Sequence, residues 1–329
     1  MKNQILSTLS SAAKISLKNS RDVFNQNHFS VLLNEEIKEH IGLQRRLALK
    51  FGFSKYDKSL SLTKKSSFSE SEFTFREGVK FKNSFQEPID RALLDVFELP
   101  AVSYWHYKKN EYQQAELLLW QAIENDFFLE KNGFPILSGH RIQQLHNIAR
   151  IYFKVGDFDK GCKVIQSALT FLVKGVIPNF SGKWSYEDIE NGMPNNLKSV
   201  MFWQLASETL SFIHKYKSQD FSIYFKKAFD GLDDFIPNSE DEEWHIDFFR
   251  LKQHCLKQDY SLFLDGVLPF IRKVDVNYAL HACSVLMDVL DLSDCMGVDI
   301  DQDTYHLMNQ STIFSSIMKF KASHNEIST

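Results

Sequence analysis

The chain of 329 residues contains little of the two residues that make tight turns, with only 13 Gly and 7 Pro. A fold of many short strands uses both heavily, because Gly supplies positive φ angles and Pro presets the first turn position. Helices joined by short connections need far less of either. The composition therefore predicts a helical chain.

Cysteines and long apolar runs are also scarce. The four cysteines (Cys162, Cys255, Cys283 and Cys295) form no CxxC motif and no dense framework, so we expect buried free thiols. The first residues superficially resemble a signal peptide, but Lys14 interrupts them, and no run approaches the roughly 18 apolar residues of a membrane span. We expect a cytoplasmic protein without a membrane partner.

No charge of one sign dominates the chain, whose net charge is −4. That balance provides no overall attraction to a phosphate backbone, so nucleic acid is not an expected partner. What the sequence does have is many apolar residues. Hydrophobic residues make up 43% of it and include 29 Phe, enough to bury a core and to exclude general disorder.

Three segments differ in pattern. Residues 1–53 form an N-terminal helical segment, in which Val31, Leu32, Ile37, Ile41 and Leu47 follow mixed helical spacings. Residues 54–86 are rich in Ser, Lys and Phe. There "EFTFREGVKFKN" alternates apolar and polar residues and predicts a small β-hairpin near 72–82, with a mobile linker as the alternative. Residues 87–329 show a helical pattern that begins at Pro88, and we expect Pro100 to interrupt or restart the first helix.

One unit recurs within the third segment. In "KVGDFDKGCKVIQSAL", Phe158 is followed at offsets of three, seven and ten residues by Gly161, Ile165 and Ala168. These positions share one helical stripe. The same offsets from Tyr112 give Ala115, Leu119 and Ala122, and weaker copies follow Phe221 and Tyr260. Small residues on such a stripe let a neighbouring helix approach to packing distance.

This unit resembles the tetratricopeptide repeat, whose second helix begins near an acid-aromatic turn and carries small residues about seven apart. The signature positions of the family's first helix match Leu145, Ile148, Ala149 and Tyr152. The resemblance covers Leu99 to about Leu172, although the two copies lie 46 residues apart (Gly161 minus Ala115) against about 34 in the family. It implies an all-α fold of stacked antiparallel helix hairpins, an α-α superhelix, and an irregular helical bundle is the alternative.

The resemblance also implies a site. The first-helix face that lines the family's concave groove corresponds here to Tyr104, Tyr107, Lys108, Gln143, His146, Arg150 and Lys154. Aromatic rings beside cations suit an acidic or aromatic-containing peptide. We therefore expect a non-catalytic scaffold that binds a peptide or partner protein there, unless the N-terminal helices fill this face.

Two other functions remain open. The chain could be an all-α regulator that senses a small ligand or peptide, or an enzyme with an interhelical pocket that uses Glu243, His245 or His254. The nine-residue spacing of the two histidines places them on opposite helix faces, which does not suit a shared metal. No phosphate-binding loop or nucleophile motif is present. We therefore expect no metal, no cofactor and no catalysis.

Overall fold

The structure, a computed structural model, describes residues 1–17, 28–176, 184, 192–216, 220–232, 240–274, 279–311 and 313–315. All regular structure within those ranges is helical, which confirms the predicted all-α class. The helices are α1 (Lys2–Ala13), α2 (His28–His40), α3 (Leu43–Lys64), α4 (Phe68–Lys82), α5 (Pro88–Lys108), α6 (Tyr112–Glu130), α7 (Leu137–Val155), α8 (Phe158–Lys174), α9 (Asn195–Tyr216), α10 (Phe221–Phe229), α11 (Glu240–Leu256), α12 (Tyr260–Lys273), α13 (Ala279–Cys295) and α14 (Gln302–Gln310).

The chain divides into two compact units that differ from the three predicted segments. The central unit comprises Asn27–Leu205, and the terminal unit combines Met1–Gln26 with Ala206–Thr329. In the central unit, α3 packs on α4 and on α5, and α5 to α8 then pack each on the next. Helix α2 lies against α3 and α7.

The terminal unit joins the two ends of the chain. Helix α1 packs on α12, α13 and α14 and buries Ile5, Leu9 and Ala12 completely. The Lys2 ammonium donates to the carbonyl of Gly297 at 3.0 Å. The predicted N-terminal segment is therefore split, since α1 belongs with the C-terminal helices whereas α2 and α3 belong to the central unit.

The predicted β-hairpin near 72–82 is wrong, and residues 54–86 are not a linker. Residues 54–64 continue α3, and 68–82 form α4, which packs along α3. Gly78 is needed there for close approach, because a Cβ on it would lie 2.8 Å from the Tyr56 ring. The alternating pattern of this segment suggested strands, but the segment also has small residues at helical spacing. These residues, Ser71, Thr74 and Gly78, form the buried stripe of α4.

The expected break at Pro100 is also wrong. Helix α5 begins at Pro88 as predicted but runs through Pro100 to Lys108. Pro269 likewise lies inside α12. Helix α5 is packed on α3 along one side and on α6 along another, and tertiary packing of this kind supplies most helical stability in proteins.

One turn geometry joins the helices of four hairpins, after α3, α5, α7 and α11. Helices α6 and α13 end with the same pattern at Gly133 and Gly297, but the helices after them begin at Leu137 and Gln302 rather than at an aromatic residue. A residue with positive φ ends the first helix, and the next backbone N–H donates to the carbonyl five residues earlier at 2.9 or 3.0 Å. This is the Schellman arrangement, which satisfies carbonyls left open at a helix C-terminus. The positive-φ residues are Ser66, Asn110, Gly156 and Gln258.

An aromatic residue begins the second helix after each of these turns, namely Phe68, Tyr112, Phe158 and Tyr260. The copies at Tyr112, Phe158 and Tyr260 were predicted, whereas the copy at Phe68 was not. The turn before Phe221 lies outside the described residues.

The small residues of the recurring unit are buried, as the hairpin packing requires. Ala115, Ala122 and Ala168 are fully buried, and Gly161 is buried against Phe153. A Cβ on Gly161 would lie 2.5 Å from that phenyl ring. The stripe therefore sets the distance between the paired helices.

Candidate partner-binding surface

The α5 part of the predicted groove is an aromatic cluster beside a cation. The rings of Tyr104 and Tyr107 stack with centroids 6.1 Å apart and planes 22° apart. Tyr107 in turn meets the ring of Tyr112 edge-on at 5.7 Å. Both stacked tyrosines are half-buried and Lys108 beside them is exposed. This cluster offers aromatic faces and an ammonium group to a partner.

The α7 part of the predicted groove is less open. His146 is only 1% exposed and lies 3.3 Å from the Gln143 amide nitrogen, so it cannot contact a partner without repacking. Arg150 is half-buried and donates to the Asn147 side chain at 2.7 Å. Lys154 is exposed in the last helical turn. Gln143 is half-buried like Arg150, so the predicted α7 residues with exposed surface are Gln143, Arg150 and Lys154.

The two groups of predicted residues lie on different helices, α5 and α7. Both of these helices pack along α6, and they make at most marginal contact with each other among the described residues. Between α6 and α7, Glu116 accepts hydrogen bonds from the Tyr152 hydroxyl and, at 3.3 Å, from the Trp120 indole. Burial and the carboxylate raise the pKa of Tyr152, which keeps its hydroxyl a donor.

A buried ion pair fixes α6 and α7 at their other end. Arg141 is fully buried, with its Nε 2.5 Å from the Glu130 carboxylate and its Nη2 donating to that carboxylate at 2.8 Å. The guanidinium also lies 4.3 Å from the centroid of the Trp184 ring. Nearby, His140 Nδ1 lies 2.8 Å from the buried Asp126. These contacts fix the orientation of α7 against α6, so we assign them a structural role.

A cavity that the sequence did not reveal opens between α3, α4 and α5, with a volume of about 230 Å³. It is lined by Ser59, Glu72, Phe75, Arg76, Val102, Trp105 and His106. His106 Nδ1 lies 2.5 Å from Glu111, and an indole edge meets its ring at 5.0 Å. This cavity could not be predicted from the sequence, because one of its walls is α4, which was predicted to be a hairpin.

A second cavity, of about 320 Å³, lies where α2 meets the start of α7. Glu36 on its wall accepts a hydrogen bond at 3.1 Å from the Ile136 backbone N–H, which belongs to the open donors at the start of α7. Burial raises the pKa of Glu36 to about 7, against the lowering effect of that hydrogen bond, and Glu39 adds to the increase. Its other oxygen is buried and has no hydrogen-bond partner in the described part of the chain.

The structure places no metal site among the residues it describes, since no three His, Cys, Asp or Glu side chains there could hold an ion. His254 is paired with Asp259 at 3.8 Å and lines neither of the two cavities. The side chains of Glu243 and His245 lie outside the described set. The four cysteines are free as predicted, but only Cys162 and Cys283 are buried, whereas Cys255 is half-buried and Cys295 is exposed.

No protein-family model, curated protein or solved structure matches the chain. Of the helices within the described ranges, none has the length and apolar character needed to cross a bilayer.

Proposed function

We propose that the chain is a non-catalytic helical scaffold of the cytoplasm, similar in architecture to a tetratricopeptide-repeat superhelix, that binds a peptide or partner protein. The observation that carries the proposal is the stack of Tyr104 on Tyr107 beside the exposed Lys108. Aromatic side chains are enriched at binding hot spots because they supply large, rigid contact area. The recurring hairpins support the scaffold role, since such pairs bury their apolar faces only by stacking.

The partner that suits this surface carries acidic and aromatic side chains. Lys108 on α5 and Lys154 on α7 are exposed cations, and Arg150 adds a guanidinium at the side of α7. A carboxylate would form charge-assisted hydrogen bonds with these groups, and a ring would pack on the tyrosines. His146, which was predicted to line the groove, is left out of the surface because it is buried.

The test is affinity capture from a cell extract followed by mass spectrometry and calorimetry of the recovered partner. We expect Tyr107→Ala and Arg150→Ala to weaken that partner's affinity at least about tenfold, which corresponds to about 1.4 kcal/mol. Tyr305→Ala and Arg272→Ala are matched controls, because both residues are exposed and lie in the terminal unit. Equal capture by all four folded variants would reject the proposal.

The cavity between α3, α4 and α5 favours a second candidate, a regulator that senses a small ligand. Its apolar walls are Phe75, Val102 and Trp105, and its volume suits a molecule smaller than most drug-like ligands. A ligand that raises the unfolding temperature of the wild type but not of Val102→Phe, which fills the cavity, would support this function. The scaffold function predicts no such compound.

A further inference from the structure

Three large apolar side chains form a stripe on the solvent side of α3. Leu43, Leu47 and Phe51 follow one another at every fourth position and are 63%, 62% and 52% exposed. The buried side of the same helix is made by other residues, among them Gly52, Tyr56 and Ser59. A single exposed leucine is ordinary, but three in register on one helix make an apolar stripe. We call these three residues the α3 ridge.

The ridge continues onto the end of α4. The ring of Phe51 meets that of Phe81 edge-on at 5.0 Å, and Phe81 meets Phe85 in the same way at 5.2 Å. Both of these further rings are half-buried. A partner lying along α3 would therefore reach a preformed aromatic cluster at one end of the ridge.

The sequence of α3 is basic, although the whole chain is slightly acidic, and two of its cations are paired with acids of other helices, Arg45 with Asp90 and Lys55 with Glu77, each at 2.7 Å. Helix α3 contains six basic residues, and Asp57 is its only acid. The basic residues are Arg45, Arg46, Lys50, Lys55, Lys58 and Lys64. Lys50 is exposed between the second and third side chains of the ridge. The ridge is thus an apolar line beside two further cations of α3, Arg46 and the exposed Lys50.

This combination selects among three kinds of occupant. A second copy of the chain would bring Lys50 of one α3 towards the same cations of the other, so like charges would oppose self-association. A lipid surface needs an apolar face along the helix, but the solvent side of α3 continues after Phe51 with Ser54, Lys58 and Ser61. An acidic partner helix satisfies both the charge and the short apolar line.

We propose that the α3 ridge docks an amphipathic helix of a partner protein whose apolar side chains repeat every third or fourth residue and whose flanks are rich in Glu and Asp. The ridge spans about 12 Å from Leu43 to Phe51, at 1.5 Å per residue, which is two to three turns of such a helix. This surface is separate from Tyr104 and Tyr107 on α5, so the two proposals can fail independently.

The test uses a synthetic helical peptide with leucines at every fourth position and glutamates around them. We expect it to bind the full chain, measured by fluorescence anisotropy, with an affinity that falls as salt rises. Leu47→Glu should weaken binding at least about tenfold, because it places a charge in the apolar line. Leu262→Glu is the matched control, since Leu262 is 57% exposed in the terminal unit. Tyr305→Ala, which changes an exposed aromatic residue of the terminal unit, should leave the peptide affinity unchanged.

Four results would overturn the proposal. The first is no binding of the peptide by the wild type. The second is equal binding of a peptide with the same composition but scrambled leucine positions. The third is equal binding by wild type and Leu47→Glu. The fourth is a preference for another occupant, seen as Leu47-dependent sedimentation with phosphatidylserine vesicles or as a Leu47-dependent dimer in analytical ultracentrifugation.

Discussion

The Ser103 hydroxyl donates a 2.8 Å hydrogen bond to the backbone carbonyl of Ala115, joining α5 to α6. The same bond occurs one hairpin earlier, where Ser59 donates to the carbonyl of Ser71 at 3.0 Å. In both hairpins the donor precedes the aromatic residue of the turn by nine positions and the acceptor follows it by three. Two hairpins of different sequence thus use a buried serine in the same way, to join the second helix to the first.

Replacing either serine by alanine should destabilise the central unit by at least about 1 kcal/mol. Ser103→Ala removes one buried hydrogen bond between paired helices, and Ser59→Ala removes two, to the carbonyl and, at 2.9 Å, to the hydroxyl of Ser71. The measurement is the free energy of unfolding from urea titration. Ser54→Ala is the control, since its hydroxyl is exposed and bonds only to the Phe51 carbonyl of its own helix. If the control and the two buried variants unfold alike, the shared hydrogen bond has no role in holding the hairpins.

Gly161→Ala should destabilise the protein by about 1–3 kcal/mol, the usual effect of overpacking. Inside a helix alanine is normally more favourable than glycine by about 1 kcal/mol, so without the close contact the same change would stabilise the protein. The loss is expected because the new methyl group would lie 2.5 Å from the buried Phe153 ring.

The control for this experiment is Gly42→Ala, where a new methyl group has nothing within 4 Å. We expect its free energy of unfolding to change by less than about 0.5 kcal/mol. A gain in stability for Gly161→Ala, measured by the same denaturant titration, would show that the small residue does not set the distance between α7 and α8.

The fold could be predicted where the local sequence and the packing agree. Gly156 supplies the positive φ that its turn needs, so the hairpin at Phe158 was readable from the sequence. Ser66 adopts the same conformation, but the hairpin at Phe68 was missed because the alternating pattern of 72–82 was interpreted as two strands. Gly78 was interpreted as part of a turn, but its role depends on Tyr56 in another helix, which a local pattern does not contain.

The site was predicted less well than the fold, for the same reason. Tyr104 and Tyr107 stack because residues three apart share a helix face, which the sequence shows directly. The burial of His146 depends on its neighbours from other helices. Leu47 was counted among the apolar positions of the N-terminal segment, yet it faces solvent. Neither the cavity beside Trp105 nor the α3 ridge could be recognised without knowing how α3 and α4 pack.

Removing the buried Arg141 should destabilise the protein strongly. Arg141→Met leaves the Glu130 carboxylate, 3% exposed, without the ion pair to Arg141, and the expected loss is about 3–5 kcal/mol. The double variant with Glu130→Leu should lose less than the single variant, because no buried charge then remains unpaired. A double-mutant cycle of unfolding free energies measures the difference.

A matched exposed pair provides the control for Arg141. Arg76 lies 2.5 Å from Glu72, the same closest distance as in the buried pair, but the two side chains are 71% and 41% exposed. Arg76→Met should therefore change the unfolding free energy by less than about 0.5 kcal/mol. Equal losses at the buried and the exposed arginine would mean that burial does not determine the strength of these pairs.

Glu36 should make the stability of the central unit depend on pH. Its pKa rises from 4.5 to about 7 on folding, mainly because burial disfavours the charged carboxylate. Between these two values the unfolded chain has released its proton and the folded chain has not, so stability is highest below pH 4.5 and falls as pH rises through 7.

Glu36→Gln keeps the acceptor for the Ile136 N–H and has no charge to desolvate. At pH 8 it should be more stable than the wild type by about 1–2 kcal/mol after allowance for solvent screening, and near pH 4.5 the two should be equal. Urea unfolding at both pH values measures the difference, with Glu35→Gln, an exposed neighbour on α2, as the control. A constant difference between wild type and Glu36→Gln across this range would show that the carboxylate of Glu36 is not desolvated by the packing of α2 on α7.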